Sequence, residues 1–592
     1  HHYSTLDSKK TEKFSVLKEK YLYGHKPNQQ DKYPENFTWR DLFIKMDIEE
    51  HLNYMDSDPN FKDFYAKLQS TQQYLTSLVI PIVTVKNLKS GHYYLTALLS
   101  NLKNLKRLQI IGQTTNTNLS LAALKALFKG VNNFVKNGGQ LDEVYFEKFN
   151  IVQSNVNEVC EHLFGSIKLL TDLKVITIKD NNMIYFKGAK SLSEIITTHK
   201  NIKELNILNA RLNDSQIKEL ADGLMRAKQI EVLNLSGNTE ITAVGLNSII
   251  YNLAFSPKLL ELDLSRIPIS SPGTLIESLY KLLTISGSLE TLNLSYMNNL
   301  NPNLSEQFFI ALGDSRTVKK IDFSYSGALN DNQAKYLGRA IAFNAKKNGS
   351  FENLGLRGGV IQNYMRLTTF YTAMSISKVD EETWYGDASK VSKLSGQDYA
   401  KTFYNNLKFI DFSGSVLVSN FDYVRWKKQL SAVDPPLVQL IARSPKLINL
   451  QFQSCSFNKQ DADLFLLALD PTRPEFVSKL QVLNLSRNIF GKEGAKTFAS
   501  VLEKNKTIQV LDISHNALGV SGAKALAESL LKHPSLKYLN LFANKIDVDG
   551  ARAFEATLKT NTSLEYIDFG HNRLRNEGLA ALARGISQNK NL

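Results

Sequence analysis

Four segments near the C-terminal end decide how this chain folds: LQVLNLSRNIF from Leu480, IQVLDISHNAL from Ile508, LKYLNLFANKI from Leu536 and LEYIDFGHNRL from Leu564. They begin 28 residues apart and align without a gap as L-x-x-L-x-L-x-x-N-x-L. A fixed period of this size marks stacked repeat units. Strand residues alternate faces and both ends of the motif bend inward, so slots one, four and six point into a core and the intervening slots three, five and seven point out. The Asn slot holds Asn488, Asn516, Asn544 and Asn572, where the chain leaves the strand. An amide there can satisfy backbone groups that the turn leaves unpaired. The tail of each copy supplies Gly494, Gly522, Gly550 or Gly578 and then apolar residues at helical spacing, such as Ala551, Phe554 and Leu558. Each unit reads as strand, turn and helix, and no unit can bury its apolar faces without a neighbour.

This pattern resembles the leucine-rich repeat, and the 28-residue length with a full helix resembles the ribonuclease-inhibitor class of that family. The resemblance implies an α/β horseshoe solenoid, with one parallel sheet of about fifteen strands on the concave face and helices on the convex face. Looser copies continue upstream from Leu447, Leu407, Phe351, Val318, Leu289, Leu259, Ile230, Ile202, Leu173, Leu141 and Leu105. Asn238 and Cys455 are accepted variants in the turn slot, whereas Ala210, Ile267 and Met297 depart from it. The expected organisation is a non-repeat cap or extension over residues 1–74, a first repeat block over 75–361, an aromatic insertion or degenerate repeat over 362–406, and a second block over 407–592 with a loop insertion at about 418–446. Leu78, Ile80, Ile82 and Val85 are expected to begin the capping or first strand region.

The two interruptions read as aromatic and loop-like, the second with Pro435 and Pro436. All three tryptophans, Trp39, Trp384 and Trp426, lie outside regular units. Tryptophan is enriched at interface hot spots, so these residues and Tyr385 are candidate protein contacts, with packing of the insertions onto the solenoid as the alternative. The outward slots are otherwise small and polar, with Asn or Asp in slot five and Ser in slot seven, which reads as a solvated ladder. Toward the C-terminal end this face changes to Tyr538, Phe542 and Tyr566, a second candidate protein interface.

Lys and Arg total 71 against 57 Asp and Glu, a formal net charge of +14. No acid occurs between Phe64 and Leu141, while Lys86, Lys89, Lys103, Lys106, Arg107, Lys125, Lys129 and Lys136 all fall there. Unopposed positive charge attracts phosphate backbones without reading sequence, so RNA or another anionic partner is expected at these residues. The two cysteines, Cys160 and Cys455, exclude a disulfide framework and fit a reducing compartment. No phosphate-binding loop, H-E-x-x-H, G-x-S-x-G or C-x-x-C motif occurs, and no catalytic, cofactor or metal site is predicted. His515 and His571 occupy equivalent slots two repeats apart, about 10 Å, too far to share an ion. The longest apolar run, near residues 78–85, falls short of the roughly 20 residues a spanning helix requires.

The functional expectation is a non-catalytic scaffold, a structural subunit of a large assembly, with a mitochondrial ribosome favoured. The alternatives are a cytosolic or ciliary partner-binding module of ribonuclease-inhibitor type and, less favoured, a GTPase-activating protein. The chain opens His1-His2-Tyr3-Ser4-Thr5 without Met, which reads as a tag remnant or a processed terminus, and a mitochondrial matrix location is expected. Leu592 falls 28 residues after Leu564, in the first slot of a further copy, so either the array continues beyond it or a neighbouring subunit covers the C-terminal end, the second being favoured.

Overall fold

Residues 76–81, 96, 99, 100, 102, 104–112, 121–149, 156–181, 188–386, 388–419, 423–428 and 434–592 are described by the computed structural model. They fall into two compact units, one ending at Asn303 and one from Leu304 to Leu592. In the first, eight strands run parallel in chain order: Ser77–Pro81, Arg107–Ile111, Glu143–Glu147, Val175–Lys179, Glu204–Leu208, Val232–Asn234, Glu261–Asp263 and Thr291–Asn293. In the second, eight more do the same: Lys320–Asp322, Asn353–Gly355, Phe409–Asp411, Asn449–Gln451, Val482–Asn484, Val510–Asp512, Tyr538–Asn540 and Tyr566–Asp568. The strand added to the expected fifteen is Ser77–Pro81, whose Leu78 and Ile80 are buried against the stack.

Register follows the sequence slots without a slip. Leu511 aligns with Leu539 and then Ile567, so slot four stacks on slot four in every copy. Most of these strands are followed by a return helix whose inner face is the apolar stripe read from the sequence, as in Val548–Thr560 with Ala551, Phe554 and Leu558 buried. Helix starts are fixed locally. Asn213, Asn330 and Asn458 each accept from the third backbone N–H of the helix, and the third side chain returns to the cap.

The interruptions are helical rather than loop-like. Strands Asn353–Gly355 and Phe409–Asp411 are direct parallel neighbours, and helix Tyr364–Thr372 is the return helix between them. Residues 362–406 are therefore a repeat helix followed by an excursion, closed by the antiparallel pair Ser375–Ile376 and Thr402–Phe403. Gly338 makes the close approach possible: a Cβ there would lie 2.2 Å from the Phe370 carbonyl oxygen of the next helix. The second interruption likewise ends in a return helix, Pro436–Ala442, with Leu437, Val438, Leu440 and Ile441 buried.

The turn from helix to next strand carries its own ladder. Asn505 accepts from the N–H groups of Thr507 and Ile508, and Asn561 does the same for Ser563 and Leu564. His533 holds the intervening position, its Nδ1 accepting from Ser535 and Leu536 and its Nε2 donating to the Asn505 carbonyl at 3.1 Å. Burial, then the charge of Lys506, holds this imidazole at about 4, against the pull of the Asn505 carbonyl. The unfolded chain takes up its proton near 6.5 while the folded chain refuses it until about 4, so this contribution is complete above pH 6.5 and is lost as pH falls between those values. The loss reaches about 3 kcal/mol at most. In a His533→Asn variant, which copies the neighbouring turns, this segment of the pH–stability curve should flatten. A curve of unchanged slope in urea titrations at about pH 4.5 and 7 would refute the assignment.

Candidate functional site

The outward slots form rows along the strand face of each unit. Slot five has a structural duty that the sequence reading missed: its side-chain oxygen accepts the slot-seven N–H two residues on. The distances are 2.9 Å for Asn234 to Ser236, 2.8 Å for Asp263 to Ser265, 2.9 Å for Asp411 to Ser413 and 2.9 Å for Asp512 to Ser514. An Asn or Asp bonding its own backbone two residues later is an Asx turn, and the Asn/Asp-x-Ser recurrence was its signal. Burial raises the carboxyls of Asp411 and Asp512, opposed at Asp411 by Arg357, whose Nε lies 3.0 Å from Oδ2.

The Asn ladder is structural, as expected. Asn488 Oδ1 accepts from the N–H groups of Cys455 and Phe457, and its Nδ2 donates to the carbonyls of Phe452 and Leu485. Asn181, not singled out from the sequence, does the same work in the first unit through Phe149 N–H and the Phe146 carbonyl. The departures Ala210, Ile267 and Met297 are fully buried and fill their turns with apolar volume. Cys455 donates to the Phe412 carbonyl, and burial raises both thiols, Cys160 to about 12. Both are thus far from the thiolate form that nucleophilic chemistry requires.

At the C-terminal end of the strand face the ladder continues through Asn540 and Asp568, but the slots on either side of it become aromatic. Tyr538 and Tyr566 lie opposite each other in register and stack at 4.7 Å with planes 7° apart. Burial first, then Asp568, pushes the Tyr566 phenol up to about 12. In slot seven, Phe542 lies between His515 at 5.3 Å and His571 at 4.6 Å, so a phenyl ring separates the two imidazoles. Gly570 makes the space: a Cβ there would meet the Phe542 ring at 2.7 Å. Three residues spread over two repeats in the sequence, Tyr538, Phe542 and Tyr566, are thereby brought onto adjacent strands of one face.

Other candidates are placed differently. Trp384 is not at the surface: it is 3% exposed, stacked on Phe343 at 5.3 Å and tilted against Tyr336 at 5.8 Å, so it holds the excursion onto the repeat helices. Beside it, Tyr385 remains exposed, donates to Asp314 at 2.9 Å and lies under the Lys347 ammonium at 4.4 Å. Trp39, Lys86, Lys89 and Lys103 lie outside the described residues, as does the Trp426 side chain on helix Tyr423–Lys428. Lys106, Arg107, Lys125, Lys129 and Lys136 are all exposed, but on two elements: the first two at the start of a strand and the others along helix Leu121–Lys136. Their charge is not unopposed in space, because the next repeats bring Glu143 to 3.3 Å from Arg107 and Glu158 onto Lys125. Among the described residues no three His, Cys, Asp or Glu side chains gather as metal ligands would, and no helix is long and apolar enough to cross a membrane.

A leucine-rich-repeat family model matches residues 478–499, 504–527, 532–554 and 560–583. No curated protein matches the sequence. Among solved structures, the chain is similar to that of the TLR13–ssRNA13 complex, with 14% identity, 82% of this chain and 56% of that one covered, and a TM-score of 0.41. It is also similar to an internalin, inlF, from Listeria monocytogenes str. 4b F2365, at 13% identity, 73% and 92% coverage and a TM-score of 0.36. A third match is actin-binding site 2 of leiomodin-1, at 20% identity, 27% and 91% coverage and a TM-score of 0.22. The chain thus spans little more than half the length of the TLR13 chain, and similarities of this size say nothing about what it binds. With the consensus matched in four successive copies and the same strand, turn and return repeated in register within each unit, the chain has the leucine-rich-repeat fold, and its residues 478–583 are leucine-rich repeats.

Proposed function

We propose that the chain is a non-catalytic protein-interaction scaffold that serves as a structural subunit of a large assembly in the mitochondrial matrix, a mitochondrial ribosome in the first instance. The observation that carries the interaction role is the aromatic cluster on the last two repeats: Tyr538 and Tyr566 stack in slot three, where the two preceding copies carry Val482 and Val510, and Phe542 takes slot seven, where those copies carry Ser486 and Ser514. Aromatic side chains there add apolar contact area with little rotamer freedom to lose. Exposed Lys106, Lys129 and Lys136 and a pI of about 9.2 support contact with RNA in the same assembly. We also propose that a neighbour covers the strand Tyr566–Asp568, where Ile567 and Phe569 are only half-buried while their counterparts Leu539 and Leu541 are fully buried.

Fractionation of native extract tests this reading. The protein should co-sediment with ribosomes, Phe542→Asp should abolish the association, and Lys106→Glu, Lys129→Glu and Lys136→Glu together should weaken it. Every phosphate that a lysine no longer neutralises should lower the salt slope of binding by about one unit. Recovery instead with one stoichiometric protein partner would favour the regulatory, ribonuclease-inhibitor-like reading. Wild-type retention by the Phe542→Asp protein would remove the aromatic patch as an interface.

A further inference from the structure

Along the edge where helices of the first unit return to the next strand, exposed apolar side chains recur at intervals of the repeat, although Asn137, Thr198 and Arg226 hold the strictly equivalent position in three copies. Leu169, Phe255 and Ile285 stand four residues before the first repeat slots at Leu173, Leu259 and Leu289, and Met225 stands five before Ile230. They are 43%, 53%, 43% and 47% exposed. Tyr251, one turn earlier on helix Ala243–Leu253, is also exposed and meets Phe255 edge to face at 5.7 Å. The same position in the second unit carries Asp314, Lys347, Arg443, Lys504, Lys532, Thr560 and Gln588, with Phe403 and Phe476 as the exceptions. A core-building repeat needs no apolar group there, as the second unit demonstrates, and grouped exposed apolar side chains mark a contact surface.

The charge beside this row is predominantly positive. The connecting stretches 168–172, 199–201, 226–229, 254–258 and 286–288 contain Lys168, Lys200, Arg226, Lys228 and Lys258 against the single acid Asp172. Between Leu169 and Met225 the row is broken: Thr197 and Thr198 take the position, and a cleft of about 570 Å³ opens, lined also by Lys168, Glu194, Lys200 and Arg226. Glu194 pairs with Lys168 at 2.7 Å, whereas Lys200 and Arg226 donate to backbone carbonyls of Thr197 and Asp222.

From these features we infer that this edge docks an acidic amphipathic helix of a protein partner, with a carboxylate in the cleft between Lys200 and Arg226 and apolar residues against Met225, Phe255 and Ile285. Five cations against Asp172 and Glu194 select an acidic partner over a basic one. A side chain can fill a cleft that interrupts the row, whereas a planar lipid surface would bridge it. Neighbouring helices pack about 8–10 Å apart, so the four steps from Leu169 to Ile285 span roughly 30–40 Å, the length of about 20–27 helical residues at about 1.5 Å each. On such a helix the apolar set at i, i+3, i+4 and i+7 recurs every seven residues, about 10 Å, close to the step of the row. The surface is distinct from the aromatic strand face and stands or falls separately from it.

Fluorescence anisotropy on the full chain provides the test, with a labelled helix of about 24 residues carrying Leu at i, i+3, i+4 and i+7 flanked by Glu, a second peptide with every Glu changed to Lys, and phosphatidylcholine vesicles containing phosphatidylserine. The Glu peptide should bind in preference to the Lys peptide, and Phe255→Asp should weaken it at least tenfold. Lys200→Glu with Arg226→Glu should invert the preference between the two peptides. All three side chains are on the surface, so circular dichroism of each variant should match wild type. Equal binding of both peptides, no peptide binding, or a preference unmoved by the double charge reversal would overturn the proposal. Phe255-dependent binding to vesicles without peptide binding would also overturn it and assign the edge to a membrane.

Discussion

Replacing Leu539 with alanine should lower the stability of the second unit by about 2–5 kcal/mol, because the side chain fills the interior between two copies and the packed stack cannot collapse onto the cavity. Leu539 is fully buried and sits in register between Leu511 and Ile567, so the loss is felt on both sides. Leu511→Ala should cost a similar amount. Repeat arrays are stabilised by nearest-neighbour interfaces, so the damage should be local: hydrogen exchange should accelerate in strands Val510–Asp512 and Tyr566–Asp568 well before it does in Lys320–Asp322. Uniform acceleration across the second unit, or a loss below about 1 kcal/mol in urea unfolding, would show that the interior is not close-packed at this layer.

The second large effect is expected at Asn488. Asn488→Ala removes the acceptor that serves the buried N–H groups of Cys455 and Phe457 together with the donors to the Phe452 and Leu485 carbonyls. An unsatisfied buried polar group costs about 1–3 kcal/mol, so two orphaned N–H groups place the variant about 2–6 kcal/mol below wild type. Asn572→Ala is the internal comparison, since Asn572 makes the same pattern of bonds to Asn544, Ile546 and Leu541 in a half-buried turn that water can reach. It should cost distinctly less. Equal losses at the two positions would mean that burial does not set the value of the ladder.

The sequence alone determined whatever repeats with the period. Apolar slots one, four and six, the Asn turn and the amphipathic return helix are contacts between a residue and its own counterpart one copy away, so a gapless alignment of four copies predicts register, core and turn together. Even Ser77–Pro81, outside the clear copies, was visible in its buried Leu78 and Ile80. Contacts that break the period were decided only by the tertiary structure. Trp384 reads equally as a protein contact or as packing for the insertion because no copy has a counterpart for it, and the excursion folds back and seats it on Phe343 and Tyr336. The acid-free stretch reads as unopposed charge along the chain, but the stack sets each strand and helix beside its counterpart in the next repeat, so that Glu143 reaches Arg107 across neighbouring strands and Glu158 reaches Lys125 across neighbouring helices. The edge row of Leu169, Met225, Phe255 and Ile285 was also hidden, because an apolar residue next to a helix end reads as core until the fold shows which side of the turn faces solvent. Periodicity specifies what each copy does for its neighbour, whereas side chains outside the period take their role from whatever the stack leaves open or covers.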